Sequence, residues 1–282
     1  MAGASMKDIK LRIRSVESTM QITKAMQLVA TSKLRRAKER MESSKPFGVI
    51  AQKAIAAAVA RCEDAHIPYL TPREGKRRCY VIIAGERGLA GGYNSNVFKA
   101  VAAHAEDTDY CVLPIGRKAI DKYQHMGVEL LDDTQYRVES ANVSACFRMA
   151  NRLVEGYDQQ QFDELWLVYT DFRTMMDQQV EVQQLLPVVR AELPEDATPV
   201  STVYEEEPAE TLRKVIPDYL AGRLYSAVCD SFASEVAMRR NAMDSATKNA
   251  DAMISDLRLR YNRARQGAIT QEITEIVAGA EE

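Results

Sequence analysis

The stretch of this sequence best suited to chemistry is the glycine-rich segment GERGLAGGYN at residues 85–94, which follows the apolar run CYVIIA. A glycine-rich turn between a strand and a helix often binds phosphate, because its backbone N–H groups can converge on an anion. A dinucleotide site requires G-x-G-x-x-G and a P-loop requires G-x-x-x-x-G-K-[ST], and the glycines at 85, 88, 91 and 92 have neither spacing. We therefore predict a structural turn, with Asn94 or Ser95 capping the next helix. A phosphate site is the less favoured alternative.

Other groups that could carry chemistry are sparse. Asp132 and Asp133 are adjacent, so their carboxylates point apart, and a solvated turn is favoured over a catalytic pair. Arg87 lies beside a glycine and could bind an anion, but it is more typical of an exposed arginine. The three histidines are scattered, and no C-x-x-C pair occurs among the five cysteines, at positions 62, 79, 111, 146 and 229. The sequence predicts reduced, mostly buried thiols and neither a metal nor a cofactor.

Positive charge is concentrated at two places in a chain whose net charge is −3. KLRRAKER at residues 33–40 could bind nucleic acid, but it lacks interleaved aromatic residues, and an acidic protein partner is an equally good explanation. A second basic cluster near the C-terminus consists of Arg258, Arg260, Arg263 and Arg265. Repulsion among these four positive charges is costly on an ordinary surface, so this cluster indicates burial against another protein.

Nothing in the sequence predicts a membrane span or an export signal. The longest unbroken apolar run, AIAAAVA at residues 54–60, is shorter than the ~18 residues that a spanning helix requires. The N-terminal MAGASMKDIK lacks the apolar region of a signal peptide. We therefore expect a cytoplasm-like compartment.

The two ends of the chain predict long helices. All nine prolines lie between positions 46 and 217, and a 3-4 spacing of mostly apolar residues runs through each end. The N-terminal stripe consists of Met6, Ile9, Ile13, Val16, Met20, Thr23, Gln27, Ala30, Leu34, Ala37 and Met41. The C-terminal stripe consists of Ala246, Ala250, Met253, Leu257, Tyr261, Ala264 and Ala268. Because each stripe must be covered by another helix, we predict that the two pair with each other. Pro217 is expected to kink or restart the C-terminal helix.

Between the ends, short strand-like and helix-like segments alternate. CYVIIAG, DYCVLPIG, ELWLVYTDF and QQVEVQQLLPV are typical of strands, and helical patterns lie between most of them. This order predicts a βαβ-type layered domain with a largely parallel sheet. The predicted fold class is thus α/β, with a long antiparallel coiled coil of the terminal helices and a central Rossmann-like domain. The predicted boundaries are 1–60, 75–190 and 208–282.

Both terminal segments resemble the signature segments of one family. SVESTMQITKAMQLVATSKLRRAKERM near the start and NAMDSATKNADAMISDLRLRYNRARQGAITQEITEIVAGA at the end are similar to those of the gamma subunit of F-type ATP synthase. GERGLAGGYN is similar to that family's SxxRGLCGGxN loop, and the resemblance covers essentially the whole chain.

The resemblance implies a non-catalytic rotary shaft for ATP synthesis and ion transport. The coiled coil would stand inside a hexamer of alternating alpha and beta subunits, with the α/β domain flanking its base. Torque would pass between the ion-driven c-ring in the membrane and the catalytic beta subunits, and the epsilon subunit is a further implied partner. The glycine-rich loop of that family binds no nucleotide, and no cofactor is implied.

The resemblance also implies contact residues. Met26 and Arg239 match positions near the beta-subunit lever, and Tyr204 with Glu205 matches the foot that meets the membrane ring. Arg240 departs from the family by standing at a usually apolar place. The positions that match the beta-subunit catch and the adjoining tip are Arg265, Gln266, Thr270, Glu272 and Glu275.

The regulatory insertion of chloroplast relatives and an organellar presequence are both missing from the sequence, which indicates a bacterial protein on the cytoplasmic side of the plasma membrane. Two other classes of function are kept as alternatives. One is a nucleotide-dependent enzyme built on the central domain, and the other is a coiled-coil adaptor for nucleic acid.

Overall fold

The structure is a computed structural model that describes residues 6–60, 68–75, 77–106, 108–189 and 208–280. These residues form long helices at both ends and a sheet with shorter helices between them. In chain order the elements are α1 (Met6–Ala60), β1 (Arg78–Ile83), α2 (Tyr93–His104), β2 (Tyr110–Ile115), α3 (Arg117–His125), α4 (Val143–Asp158), β3 (Glu164–Phe172), β4 (Gln178–Leu186) and α5 (Pro208–Ala280).

The described residues separate into two compact units. Residues 6–31 and 239–280 form the first, which we call the helix-pair unit. The described residues between 32 and 238 form the second, which we call the sheet unit. Helices α1 and α5 each contribute residues to both.

The sheet unit contains a mixed four-stranded sheet in the order β2-β1-β3-β4. Strand β1 pairs in parallel with β2 and with β3, whereas β3 and β4 are antiparallel neighbours. The parallel strands are joined by helices, as parallel connections require. The fold class predicted from the sequence, including the largely parallel sheet, is confirmed.

Both faces of the sheet are covered, which explains why its first two strands are almost continuously apolar. One face carries Cys79, Val81 and Ile83 of β1 into a core shared with α4 and α5. The alternate residues, Tyr80 and Ile82, enter a second core with α2 and α3. The period-2 alternation of a strand therefore sends neighbouring apolar side chains into two separate cores.

Helices α1 and α5 both continue through an internal proline, at Pro46 and Pro217. The alternative that the C-terminal helix restarts at Pro217 is therefore wrong. The adjacent Ile216 and Leu220 are fully buried in the sheet unit, and this packing offsets the backbone hydrogen bond that a proline removes. None of the helices in the described ranges has the length and apolar content that a membrane crossing requires.

Candidate functional site: the terminal helix pair

The glycine-rich segment forms a turn whose polar groups are engaged by the protein itself. The Asn94 Oδ1 atom accepts a hydrogen bond from the Gly85 N–H at 2.8 Å, and its Nδ2 donates to the Arg87 carbonyl at 3.3 Å. A Cβ atom at Gly85 would come within 2.7 Å of the Glu235 carboxylate, so α5 packs directly on the turn. Leu89 adopts a left-handed conformation with φ 61°. This geometry favours a structural turn over a phosphate site.

Helix α2 begins differently from the prediction. Its N-cap is Gly92, and no side chain caps it. Asn94 instead bonds backward across the turn, and the Ser95 hydroxyl donates to the Gly92 carbonyl at 2.9 Å. The predicted cap by Asn94 or Ser95 is therefore wrong, because closing the turn engages the side chain that would have capped the helix.

Four of the five cysteines lie in the described residues, and all four are free and buried as predicted. Cys79 and Cys111 are opposite each other in the register of β1 and β2. Burial and the hydrogen bond to Cys111 raise the pKa of the Cys79 thiol, whereas accepting that bond lowers the pKa of Cys111. Burial raises the pKa of Cys146 to about 12. Cys62 lies outside the described residues.

Asp132 and Asp133 do not form a catalytic pair of carboxylates. Asp132 accepts hydrogen bonds from the Thr134 N–H at 2.9 Å and the Tyr136 hydroxyl at 2.6 Å, while Asp133 is exposed. Burial opposes ionisation of Asp132, but these hydrogen bonds hold its pKa below the ordinary value. Its charge therefore stabilises a turn.

Most cations of the basic segment in α1 contact other residues of the sheet unit, to which the segment itself belongs. Lys33 forms an ion pair with Glu139 at 2.6 Å, and the Lys38 ammonium lies 5.1 Å from the ring centroid of Phe172. Arg40 donates to the carbonyls of Glu139 and Ala141. The expectation of a basic face free for a partner is therefore corrected, and it applies only to the exposed Arg36 and, beside its 3.9 Å ion pair with Glu39, to the exposed Arg35. Sequence could not show this, because the acceptors lie about 100 residues away along the chain.

The helix-pair unit brings the two predicted apolar stripes together in antiparallel orientation. Glu17 pairs with Arg258 at 2.8 Å, Thr23 with Thr247 at 2.8 Å, and Gln27 with Asp244 at 2.8 Å. The residue numbers of the partners on α5 thus decrease as those on α1 increase, which is the order of an antiparallel pair. The predicted pairing of the two terminal helices is confirmed.

The stripe on α5 differs in detail from the predicted one. The buried residues are Met243, Ala250, Ile254 and Leu257, whereas Met253 is 46% exposed and Ala268 is exposed. The buried side follows a regular 4-3 heptad spacing from Met243 to Leu257. The predicted stripe began three residues later, at Ala246, and contained Met253 in place of Ile254. Two of its positions, Met253 and Ala268, are therefore wrong.

The basic cluster of α5 is partly neutralised within the helix-pair unit. Arg258 pairs with Glu17, and Arg260 pairs with Asp256 at 2.8 Å. Arg263 and Arg265 are exposed, and neither forms an ion pair with any residue that the structure describes. The need for an external acidic partner therefore applies to the last two arginines of the cluster.

The predicted contact residues fall into three groups. Met26 and Arg239 are half-buried in the helix-pair unit. Tyr204 and Glu205 lie outside the described residues. The remaining five are all exposed within a short stretch near the end of α5, namely Arg265, Gln266, Thr270, Glu272 and Glu275.

The structure also shows polar residues that the sequence reasoning missed. Ser231 accepts a hydrogen bond from the Thr170 N–H at 3.1 Å, and Ser234 donates to the Thr170 carbonyl at 3.3 Å, so two buried serines of α5 bind β3 near its C-terminal end. Thr247 lies on the 4-3 spacing of α5, four residues after Met243, and that spacing was the signal that could have identified it. Asp244 lies one residue after Met243 and is off that spacing.

Comparisons with known proteins agree over the full length. A family model described as ATP synthase matches residues 5–282. An ATP synthase gamma chain of Ruminococcus albus is 43% identical over 280 residues, which are 97% of this chain and 96% of that protein. A sodium ion specific ATP synthase gamma chain of Acetobacterium woodii is 38% identical over 296 residues, covering 98% of each chain.

Solved structures show the same fold. A chain of the Euglena gracilis mitochondrial ATP synthase, from a structure of its OSCP/F1/c-ring, matches with a TM-score of 0.66 at 18% identity, covering 98% of this chain and 93% of that one. A chain from the central stalk and c-ring of the Tetrahymena thermophila enzyme matches with a TM-score of 0.58 at 22% identity, covering 80% of this chain and 99% of that one. Full-length relatives at about 40% identity and a matching family model lead to one assignment. The chain belongs to the ATP synthase gamma-chain family.

Proposed function

We propose that this gamma chain transmits torque between the ion-driven membrane ring and the catalytic alpha/beta hexamer, and that the helix-pair unit is the part that carries it. The observation behind this proposal is the antiparallel seam, in which Glu17, Thr23 and Gln27 of α1 each bind a residue of α5. Two helices joined along a seam resist bending and twisting better than one helix. Catalysis belongs to the beta subunits of the complex.

A shaft that acts on three chemically identical sites must differ from side to side. A rotationally uniform rod would bias every site equally and would shift no population. The end of α5 in the helix-pair unit meets this requirement. Ile269, Ile273 and Ile276 form an exposed apolar stripe on one side of the helix. Gln271 and Glu275, which are joined by a hydrogen bond of 2.9 Å, lie on the opposite side.

The residues proposed to contact the beta subunits lie in two places. Met26 and Arg239 are proposed to face the beta-subunit lever, and their partial burial leaves side-chain surface for a partner. The exposed end of α5 is proposed to engage the catch, through Arg265, Gln266, Thr270, Glu272 and Glu275. Tyr204 and Glu205 are proposed to meet the membrane ring.

The proposed partners are the alpha and beta subunits, the epsilon subunit and the c-ring. Similar chains occur in solved structures of a mitochondrial ATP synthase rotor, central stalk and c-ring, which supports this set. We place the chain on the cytoplasmic side of the plasma membrane. For functional purposes we divide it into a coiled-coil segment at 1–60, an α/β domain at 75–190 and a second coiled-coil segment at 208–282.

A reconstitution experiment tests the torque role. The complex is assembled in vesicles with this chain, without it, or with a chain that ends after Tyr261, and ATP hydrolysis and ion uptake are both measured. We expect ATP-driven ion uptake only with the full chain. We also expect a bead fixed to the sheet unit to rotate during ATP hydrolysis and to pause at three preferred angles. Equal ion uptake without the chain would overturn the proposal.

A further inference from the structure

The seam of the helix-pair unit contains two successive polar layers between apolar ones. Thr23 faces Thr247 with 2.8 Å between their hydroxyl oxygens, and the Gln27 amide donates to the Asp244 carboxylate at 2.8 Å. On either side the α5 seam is apolar, with Met243 before these layers and Ala250 after them, both buried. Thr23, Gln27 and Thr247 therefore interrupt a seam that could have been apolar throughout, and Asp244 binds Gln27 from the edge of the seam.

Three of these four polar groups, Thr23, Thr247 and Asp244, have a second partner on their own helix that fixes their position. The Thr23 and Thr247 hydroxyls also lie within 3.0 and 2.8 Å of the Met20 and Met243 carbonyls. Because each hydroxyl has one hydrogen, one donates across the seam and the other donates to its own helix. Asp244 also binds Lys248 at 2.8 Å, an interaction that holds the pKa of its carboxyl below the ordinary value. The Gln27 amide thus binds a charged acceptor, which makes the hydrogen bond stronger.

Polar layers in a coiled-coil seam reduce stability but specify register. If α5 slipped toward the start of α1 by one heptad, Thr247 would face Val16 and Asp244 would face Met20. The Thr247 hydroxyl and the Asp244 carboxylate would then lie against apolar side chains without the hydrogen bonds that they form with α1, and this is unfavourable. Apolar layers alone would tolerate such a slip, because one methyl group packs about as well as the next.

We infer that Gln27, Asp244, Thr23 and Thr247 are positioning residues that lock the axial register of α1 against α5, so that the two helices turn as one body under torque. Twisting a pair of helices tends to slide one along the other, and directional hydrogen bonds across the seam oppose this sliding. The inference rests on the proposed torque function and adds the residues on which rigidity depends.

We call these four residues the register lock, and their position along the two helices supports the inference. Gln27 directly follows Met26, and Asp244 lies five residues after Arg239. A slip of one heptad would displace α5 by about 10 Å along α1. The two half-buried positions proposed to face the lever, Met26 and Arg239, would then no longer act on a beta subunit together.

The test compares the natural seam with an apolar one in the full chain. The variant carries Thr23→Val, Thr247→Val, Gln27→Leu and Asp244→Leu. Spin labels at Ser18 and Ser255, both exposed and near the Glu17–Arg258 pair, report the register after the natural cysteines are replaced by alanine. ATP hydrolysis and ATP-driven ion uptake are then measured in the reconstituted complex.

We expect a single distance population in the natural seam and a second population, longer by up to about 10 Å, in the apolar seam. We also expect the number of ions taken up per ATP hydrolysed to fall at least threefold while hydrolysis stays within twofold. The conservative variant Thr247→Ser with Asp244→Asn keeps both hydrogen bonds across the seam, so the label distance and the ion uptake per ATP should both stay as in the natural chain. Thr19→Val with Thr31→Val makes a similar change at exposed positions of α1 and should alter neither.

A single unchanged distance in the apolar seam, or full coupling in a chain with two registers, would overturn the register lock. If the fourfold variant does not fold, Gln27→Leu alone gives the same test, because Asp244 keeps Lys248. Failure of the proposed function is a different result: the natural chain itself would then not restore ion uptake. If the natural chain restores uptake and the apolar seam is equally coupled, only the register lock is wrong.

Discussion

Arg265 and Gln266 are exposed at the end of the helix-pair unit, so removing their side chains leaves the seam intact. If they engage the beta subunit, Arg265→Ala with Gln266→Ala lowers ATP-driven ion uptake by about fivefold, the effect of losing about 1 kcal/mol of coupling free energy. Uptake by reconstituted vesicles measures this. Asn249→Ala with Asp251→Ala changes two equally exposed positions and serves as the control. Unchanged uptake in the Arg265 and Gln266 variant would remove these residues from the coupling surface.

Asp230 of α5 is a half-buried acid that makes stability depend on pH. Burial, followed by repulsion from Asp171, raises its pKa to about 6, against the opposing pull of Lys45 and Arg223. Below about pH 4 the folded and unfolded states both hold the proton, and no penalty exists. Between about pH 4 and pH 6 the unfolded state loses its proton first, so the stability of the fold decreases. Above about pH 6 the penalty is complete, at roughly 2 to 3 kcal/mol.

We therefore expect Asp230→Asn to stabilise the chain more at pH 7.5 than at pH 4.5, by about 2 kcal/mol. Urea unfolding at the two pH values measures the difference. Asp177→Asn removes an exposed carboxylate from the same unit and should show little pH-dependent gain. An equal gain from Asp230→Asn at both pH values would show that the carboxyl titrates normally.

At the residue scale, the sequence correctly predicted that the four described cysteines are buried and free, because the number and spacing of cysteines bear directly on disulfide formation. It failed for Lys33, Lys38 and Arg40, whose partners lie on distant parts of the chain. The sequence around a cation does not show whether its side chain lies in water or binds a carbonyl oxygen. The five contact residues near the end of α5 are still predictions.

At the element scale, the corrected stripe of α5 separates two neighbouring residues. Ile254 is 4% exposed and Met253 is 46% exposed, although the sequence favoured Met253 for the seam. We expect Ile254→Ala to destabilise the helix pair by about 2 to 3 kcal/mol, as the loss of a buried aliphatic side chain does, and Met253→Ala to cost less than about 1 kcal/mol. Urea unfolding followed by circular dichroism measures both. Equal losses in the two variants would contradict the assignment of Ile254, and not Met253, to the seam.

The long elements were more predictable than their ends. Apolar spacing identified both terminal helices and all four strands, since these patterns recur over many residues. The passage of α5 through Pro217 and the uncapped start of α2 at Gly92 contradicted local rules. In both cases tertiary contacts overrode a preference worth only a few kcal/mol.

At the scale of the whole molecule, the two units should differ in local stability. The sheet unit has two buried cores, one on each face of its sheet, whereas the helix-pair unit is held by one narrow seam. Regions with few buried contacts open more readily. We expect amides of residues 6–31 and 239–280 to exchange with deuterium at least tenfold faster than those of β1 and β3. Mass spectrometry of the free chain measures this, and equal protection in both units would contradict it.

The family assignment confirms the function that the terminal segments implied, an ATP synthase gamma chain without catalytic activity of its own. It replaces both alternatives, the nucleotide-dependent enzyme and the nucleic-acid adaptor. The geometry of the glycine-rich turn agrees, since Asn94 and Glu235 already fill its inner side.

The sequence by itself determined the properties that repeat along the chain or depend on spacing: two long helices with apolar stripes, a largely parallel α/β domain, and terminal motifs long enough to identify the family. The tertiary structure alone decided which residues meet across distance, including the Thr23–Thr247 and Gln27–Asp244 pairs and the contacts of Arg40. The physical reason is that periodicity is a local property of the chain. A hydrogen bond between residues more than 200 positions apart depends on the register of two folded helices, and no local pattern encodes that register.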